Sequence, residues 1–424
     1  MTSSVVQNAA ILSTLPPEIL AVISVHCLPP GQPLPSSREA PLLVAQICHQ
    51  WREICLDTPD LWELVTFGEK SSLELLQTWL SRAKGRPLSL TLQCVDPRRA
   101  GILMDIIIPC IPQWKHVTFT LPVAPLRRLH LCNFPTLERL VIASSGRVPV
   151  SDDTEYTILG DAPRLSQVDI HALPQLKFGR RLERLTSLRF SIFDNATHAI
   201  TTLRMCPNLV DLFCSFGSGA PLALPPVELN SLRSLAVTTE IMLPCVTVPL
   251  LKRLQISRLS RDIDAASALR SLVSRSSCEI QSLSVDPRHL NNEQFGSFLR
   301  AVNFARHLKL TLSAAVRFPQ QIEVLGEADV LPRLTHLEIC DVAGSRVQFR
   351  ALLDLLSWRQ QHTALEKFEL WLGTRRLGPG PPRILPPAVM DEFRALGEAG
   401  MRLRIRTRER LVTGSVDVVH LDTF

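Results

Sequence analysis

The stretches PTLERLVI (135–142), PRLSQVDI (163–170), PNLVDLFC (207–214), PLLKRLQI (249–256) and PRLTHLEI (332–339) share one pattern, P-x-L-x-x-Φ-x-Φ, where Φ is mostly aliphatic. LTSLRF (185–190), LRSLAV (232–237), IQSLSV (280–285) and LEKFEL (365–370) repeat its core without the proline. Alternating apolar and polar residues over a few positions describe a short strand with one buried face. Proline before it suits a turn, because its φ is fixed and it needs no acceptor for an N–H. A strand this short cannot bury its own apolar side, whereas stacked copies share one continuous core.

The leading apolar residues stand at 137, 165, 185, 209, 232, 251 and 280, at intervals of 28, 20, 24, 23, 19 and 29. Such intervals lie in or near the leucine-rich-repeat range of roughly 20–29 residues. The usual asparagine is missing, so the repeats are degenerate, clearest over 125–372. Helical stretches at 265–274 and 348–358 would cover one side of the strands. The expected fold is therefore α/β: an irregular leucine-rich-repeat-like solenoid over 67–424 with a curved parallel sheet. A closed α/β barrel competes, but the units are short and uneven.

Strand parity nominates an open, concave surface. With Leu140 and Ile142 inward, Arg139 and Val141 point out. The same parity exposes Gln167, Asp169, His171, Arg189, Phe213, Arg253, Gln255, His336, Glu338, Lys367, Glu369 and Trp371. This mixed polar face is the candidate target-binding surface, against the plain alternative of a solvated face. Near the end, MRLRIRTRERL (401–411) places Arg402, Arg404, Arg406, Arg408 and Arg410 at every second position, all on one side of a strand. Charge there discourages unwanted pairing if the strand lies at an edge. It also suits an acidic or phosphorylated target, through bidentate guanidinium contacts, or, more weakly, nucleic acid.

The chain before the repeats differs. LPPEILAVISVHCL (15–28) reads as a helix with proline and Glu18 in its first turn, where a missing N–H and a negative charge are both tolerated. A second helix is expected from Ala40-Pro41 to about Leu56, with Val44, Ile47, Cys48, Trp51, Ile54 and Cys55 recurring at steps of three and four. Asp60-Leu61-Trp62 makes a short third turn. The module spans 12–66 and is marginal alone by size. Beyond it, SSLELLQTWLSRAKG (71–85) is a helix stopped near Gly85, followed by the strand LSLTLQC (88–94), and a second such unit runs to about residue 121.

LPPEIL followed by APLLVAQICHQWREICLDTPDLW resembles an F-box, in the variety found in large fungal families. The resemblance rests on Leu15, Pro16, Glu18, Ile19, Ile23, Leu43, Ile47, Cys48, Trp51, Arg52, Pro59, Leu61 and Trp62. The Pro-rich loop between the first two helices is longer than in the common F-box. The resemblance implies docking to the Skp-type adaptor of a cullin-RING (SCF) ubiquitin ligase core, with Leu15, Pro16, Glu18, Ile19, Ile23, Leu43, Ile47, Cys48, Trp51, Leu61 and Trp62 as contact or supporting residues. The repeats would then hold an unidentified protein target.

Composition sets bounds on this reading. The 424 residues, 46% of them apolar, are enough for two to three domains of roughly 150 residues each. A net charge of +6 is too small for a general nucleic-acid binder, so nucleic acid is an unlikely partner. Eleven cysteines without a CxxC pair argue for a reducing compartment, cytoplasmic or nuclear. Neither a secretory leader nor a membrane span is expected: the start has no basic n-region, and the apolar run 102–111 is about half the ~20 residues required. No P-loop, GxGxxG after a strand, HExxH or GxSxG occurs. Cys27 and Cys48, beside His26 and His49, read as small core residues rather than zinc ligands. No catalytic residue, cofactor or metal is expected. A scaffold acting outside any ligase, and an α/β enzyme with a deep pocket, are the alternatives.

Overall fold

The computed structural model describes residues 15–31, 34–130, 132–145, 156–171, 176–193, 196–216, 225–259, 264–312, 318–341, 348–372, 385–408 and 418–421. The chain forms two compact units, Met1–Ile192 and Phe193–Phe424.

In the first unit, helix α1 (Pro17–His26) and helix α2 (His49–Asp57) precede strand β1 (Leu64–Phe67). Then follow α3 (Leu73–Arg82), β2 (Leu88–Gln93), α4 (Pro97–Ile107), β3 (Trp114–Leu121), the short α5 (Val123–Leu126) and β4 (Arg139–Ser144). Strands β5 (Tyr156–Ile158), β6 (Gln167–His171), β7 (Leu176–Phe178) and β8 (Ser187–Phe193) complete it. The strands β1-β2-β3-β4-β6-β8 lie side by side in that order, all parallel, while β5 and β7 form a separate parallel pair.

The second unit begins with α6 (Ala196–Arg204) and β9 (Asp211–Phe216), then β10 (Val227–Glu228), β11 (Ser234–Val237), β12 (Val246–Thr247) and β13 (Arg253–Ile256). From there helices and strands alternate: α7 (Ala265–Ser276), β14 (Ser282–Val285), α8 (Asn292–Arg300), β15 (His307–Leu312), α9 (Phe318–Leu325), β16 (His336–Asp341), α10 (Phe349–His362), β17 (Lys367–Leu372), α11 (Pro387–Glu398), β18 (Arg402–Arg408) and β19 (Val418–Leu421). Its sheet runs β9-β11-β13-β14-β15-β16-β17-β18-β19, parallel except for the antiparallel β18–β19 pair; β10 and β12 pair separately. The protein is thus mixed α/β with extensive parallel sheet and no closed barrel.

The shared sequence pattern becomes one repeated piece of geometry. The leading leucines Leu137, Leu165, Leu185, Leu209, Leu232, Leu251 and Leu334 are buried. Several close a tight turn, as when Leu165 N–H donates to Ala162 O and Leu334 N–H to Leu331 O, both at 3.1 Å. The residue just before each strand then donates its N–H to the carbonyl of its counterpart in the previous unit. In the second unit this runs Lys252 to Arg233, Gln281 to Lys252, Arg306 to Gln281, Thr335 to Arg306 and Glu366 to Thr335, at 2.8–3.0 Å, while Arg402, the first residue of β18, reaches Glu366 at 2.8 Å. Hydroxyls just after the leading leucine reinforce the ladder: Ser166 Oγ donates to Glu138 O at 3.1 Å and Thr335 Oγ1 to Arg306 O at 3.1 Å.

Helix starts follow ordinary capping chemistry. Asp96, with Pro97 after it, accepts from the N–H groups of Arg98 and Arg99, Asp264 caps α7, and Asn291 and Gln294 form a reciprocal capping box on α8. Gly85 adopts φ +80°, as a residue stopping α3 should, and Lys84 before it is left-handed as well, so the chain turns over two residues.

Three expectations need correction. The single helix from 40 to 56 is two pieces, a 3-10 turn Val44–Gln46 and α2, separated by extended Cys48 at φ −159°, ψ 178°. Apolar spacing of three and four is the same for one helix as for two helical pieces nearly in phase, so periodicity could not see the break. Next, β18 is no edge strand, because it pairs on both sides. Its arginines therefore do not serve to block an open edge. Finally, β2 is closed on both faces: Ser89 and Thr91, on the polar side of the alternation, are as little as 9% and 8% exposed.

The second unit also contains a buried cation that no pattern announces. Arg359 of α10 is 1% exposed and donates to the carbonyls of Leu325 (2.8 and 2.5 Å), Val330 (2.6 Å) and Leu331 (3.1 Å). It thereby satisfies the last turn of α9 and the loop after it, and burial lowers its pKa to about 10. Arg359→Met would take the guanidinium donors from Leu325 O and Val330 O, while Leu331 O keeps the Leu334 N–H. Such groups cost about 1–3 kcal/mol each when unsatisfied. We expect a clear drop in the urea midpoint of the second unit, and no rescue by Arg359→Lys, whose single ammonium cannot span the set.

Candidate functional site

The residues nominated from sequence fall on the helical module of the first unit and on the polar strand faces of each unit. Leu20, Trp51, Cys55, Leu61 and Trp62 form the interior of the module, at 0–6% exposure. Trp62 Nε1–H donates to Cys55 O at 2.9 Å, its ring meets Trp79 of α3 edge-on at 4.7 Å, and Arg82 lies over it at 4.6 Å. The module therefore shares its core with the first strand-and-helix unit, which answers its small size. Trp51, Leu61 and Trp62 are consequently interior supports and offer no contact surface.

The other nominated residues divide by exposure. Pro16, Glu18 and Ile19 are exposed; Leu15 and Ile23 are half-buried. Leu43, Ile47 and Cys48 are exposed as well. Large aliphatic side chains thus stand out from both pieces: Ile19 (46% exposed) and Val22 (54%) from α1, Leu43 (48%) and Ile47 (56%) from the 3-10 turn region. Val22 belongs to the apolar face read from sequence with Ile19, Leu20 and Ile23, but was not among the residues nominated for docking; its place three residues after Ile19 puts it on the same helical face. Cys27 and Cys48 are exposed, not core residues as expected. The break at Cys48 ends the helical phase that would have turned it inward. Among the described residues no group of three potential ligands could hold a metal ion, and no helix is long and apolar enough to cross a membrane.

The second surface is the polar face of the sheet strands. In the first unit Arg139, Gln167 and Arg189 are exposed, while Asp169 and His171 are half-buried with His171 Nε2 2.8 Å from Asp169 Oδ1. In the second, Phe213 is half-buried, Arg253 and Gln255 are exposed, and Arg253 Nη2 reaches Asp211 Oδ1 at 3.4 Å. Leu140 and Ile142 are buried, at 1% and 0% exposure, as parity expects, but Glu338 and Glu369, expected to be exposed, are buried at 9% and 7% among their charged neighbours.

Charge concentrates where β14 to β18 run parallel. The register aligns Ser282, His307, His336, Lys367 and Arg402 in one row, and Ser284, Lys309, Glu338, Glu369 and Arg404 in the next. Cys340, Trp371 and Arg406 form a third. The rings of His307 and His336 stack at 4.2 Å, nearly parallel, and Ser282 Oγ lies 3.1 Å from His307 Nδ1. Lys309 Nζ donates to Glu338 Oε1 at 2.7 Å, and Lys367 pairs with Glu369. His307 and His336 approach Glu338 and Glu369 at 3.6 Å each, and Arg404 comes within 4.0 Å of Glu369. His307 and Lys309 were missed from sequence. They belong to HLKLTL (307–312), a strand with the right alternation but without the leading proline turn.

The network shifts its members in physically legible ways. Burial opposes the Glu338 carboxylate, but the His307 and Lys309 contacts outweigh it and lower its pKa to about 2. Burial, the neighbouring His307 and Lys367 lower His336 to about 4, against the weaker pull of Glu369 and Glu338. Burial raises Cys340 to about 12, so its thiol stays protonated. Chemically this is a set of fixed ion pairs between strands, not an acid–base pair poised near neutrality.

No protein-family model and no curated protein matches this chain.

The pKa shifts predict acid lability. His336 protonates at about 4 when folded but at 6.5 when unfolded, so the unfolded chain binds more protons in that window and stability falls as pH drops from 6.5 to 4. Glu338, ionised down to about 2 rather than 4.5, extends the loss below that. Urea titrations of the wild type should show midpoints falling over pH 6.5–4. His336→Gln should flatten that window while leaving the loss below pH 4.5.

Proposed function

We propose that this chain is the substrate receptor of an SCF-type cullin-RING ubiquitin ligase: an F-box module followed by an irregular leucine-rich-repeat-like solenoid. The observation that carries the reading is the exposure of four aliphatic side chains, Ile19, Val22, Leu43 and Ile47, on a module whose tryptophans are both interior. Anchors of this kind, inserted into pockets of a partner, supply most of the energy of a small interface. The Skp-type adaptor is the partner that the F-box resemblance implies, and these four residues are the contacts we assign to it. Leu15 and Pro16 immediately precede α1.

On this reading the chain is not itself a catalyst. It is a cytoplasmic or nuclear adaptor that raises the effective concentration of a target lysine beside the ubiquitin-carrying subunits. The polar face of the strands, rich in paired and unpaired charge, is the surface offered to the target.

Co-expression with the Skp-type adaptor tests the assignment. Stoichiometric co-purification is expected, with at least tenfold weaker binding by Ile19→Asp/Ile47→Asp. Both positions are about half exposed, so the variant should keep the wild-type thermal unfolding profile. A folded wild-type chain that does not bind overturns the reading. Adaptor binding without cullin recruitment would make the protein a scaffold outside any ligase.

A further inference from the structure

The last strands of the second unit carry charge that their own ion pairs do not use. On the polar face of β15 to β18, Lys309, Lys367, Arg402, Arg404 and Arg406 stand against two carboxylates, Glu338 and Glu369, an excess of three positive charges. The two lysines are occupied by those carboxylates, at 2.7 Å for Lys309. Arg404 makes only a 4.0 Å contact to Glu369, and no carboxylate among the described residues pairs with Arg402 or Arg406. Arg406 instead lies over the Trp371 ring at 4.3 Å. Arg406 Nε and Trp371 Nε1 are both closed off from water and have no acceptor. The region is thus over-supplied with donors.

The spacing of those donors is specific. Arg402, Arg404 and Arg406 occupy alternate positions of one strand, so their Cα atoms are set about 6.6–6.8 Å apart. An extended peptide with acidic residues at every second position repeats at the same interval. We propose that the polar face of β17 and β18 binds an extended protein segment carrying acidic side chains at alternate positions. Its carboxylates pair with Arg402, Arg404 and Arg406 in register, and the Arg406–Trp371 stack closes one end of the site. Charge complementarity favours this occupant: a uniformly charged nucleic-acid backbone would also have to pass Glu338 and Glu369, which the lysines and histidines hold ionised on the same face. As the target site of a ligase receptor the surface rests on the reading above; as a peptide-binding surface it does not.

Fluorescence anisotropy with the full chain and two labelled peptides of equal charge tests it, one alternating Asp and Ser over eight residues and one with four Asp followed by four Ser. The alternating peptide should bind at least fivefold more tightly, and ten times more salt should weaken it sharply. Arg402→Gln/Arg406→Gln should lose at least tenfold, whereas Arg253→Gln, on the same sheet face at β13, should bind as the wild type does. Trp371→Leu removes the ring beneath Arg406; a threefold to tenfold loss there supports the end of the site even if the arginine variant folds poorly. Equal binding of both peptides, no binding, or tighter binding of an eight-nucleotide single-stranded DNA overturns the proposal. Adaptor co-purification is read separately, so failure of the ligase reading and failure of this one give different results.

Discussion

A parallel strand of four to seven residues can satisfy none of its backbone groups alone, and this constraint organises the protein. Each strand leans on a neighbour for its ladder, and each lead-in turn leans on the preceding one. The N–H of Lys252 reaches Arg233, Gln281 reaches Lys252, and the chain of dependence continues to Arg402 on Glu366. Because the bond is backbone to backbone, the residue at that position is free: arginine, lysine, glutamine, threonine and glutamate all occupy it. What the pattern must keep is the buried leucine that closes the turn and the two aliphatic residues that follow. Repeats can therefore drift far in sequence while their geometry stays fixed.

The same constraint explains which parts were legible from sequence. Strand positions and faces were, because alternation is a direct image of one-sided burial: Val168 and Ile170 are buried, Asp169 between them is not. The break at Cys48 was not, since apolar spacing of three and four looks alike in one helix and in two helical pieces nearly in phase. Nor was the closure of both faces of β2, because Ser89 and Thr91 are small polar residues that fit either environment. Arg359 was illegible for a different reason. Its partners are carbonyls 28 to 34 residues away, and a main-chain acceptor leaves no mark on the sequence.

The helical module shows how tertiary packing reassigns residues that look equivalent in a motif. Trp62 and Ile47 both belong to the apolar set of the first seventy residues, yet Trp62 is sealed between Cys55, Trp79 and Arg82 while Ile47 is 56% exposed. The large rings fasten the module to α3, and in doing so they leave its smaller aliphatic residues outward. An interior tryptophan removed would cost folding before it cost binding, so only the outward set can report on docking.

On the sheet, the two sides of each strand answer to different demands. The inward side must fill space at close-packed density, and leucine, isoleucine, valine and phenylalanine do so interchangeably when volume is kept. The outward side need only stay solvated, and before β15 it mixes serine, threonine and glutamine with scattered charges such as Arg139, Asp169 and Arg253. The rows across β15 to β18 exceed that need. Glu338 and Glu369 are nearly buried carboxylates, and holding them ionised requires Lys309 and Lys367 beside them. Neither stability nor solubility calls for three further arginines on β18, a strand paired on both sides, where charge guards no edge. Stability alone would favour an ion-pair network closed by equal charge; this one is left open on the arginine side.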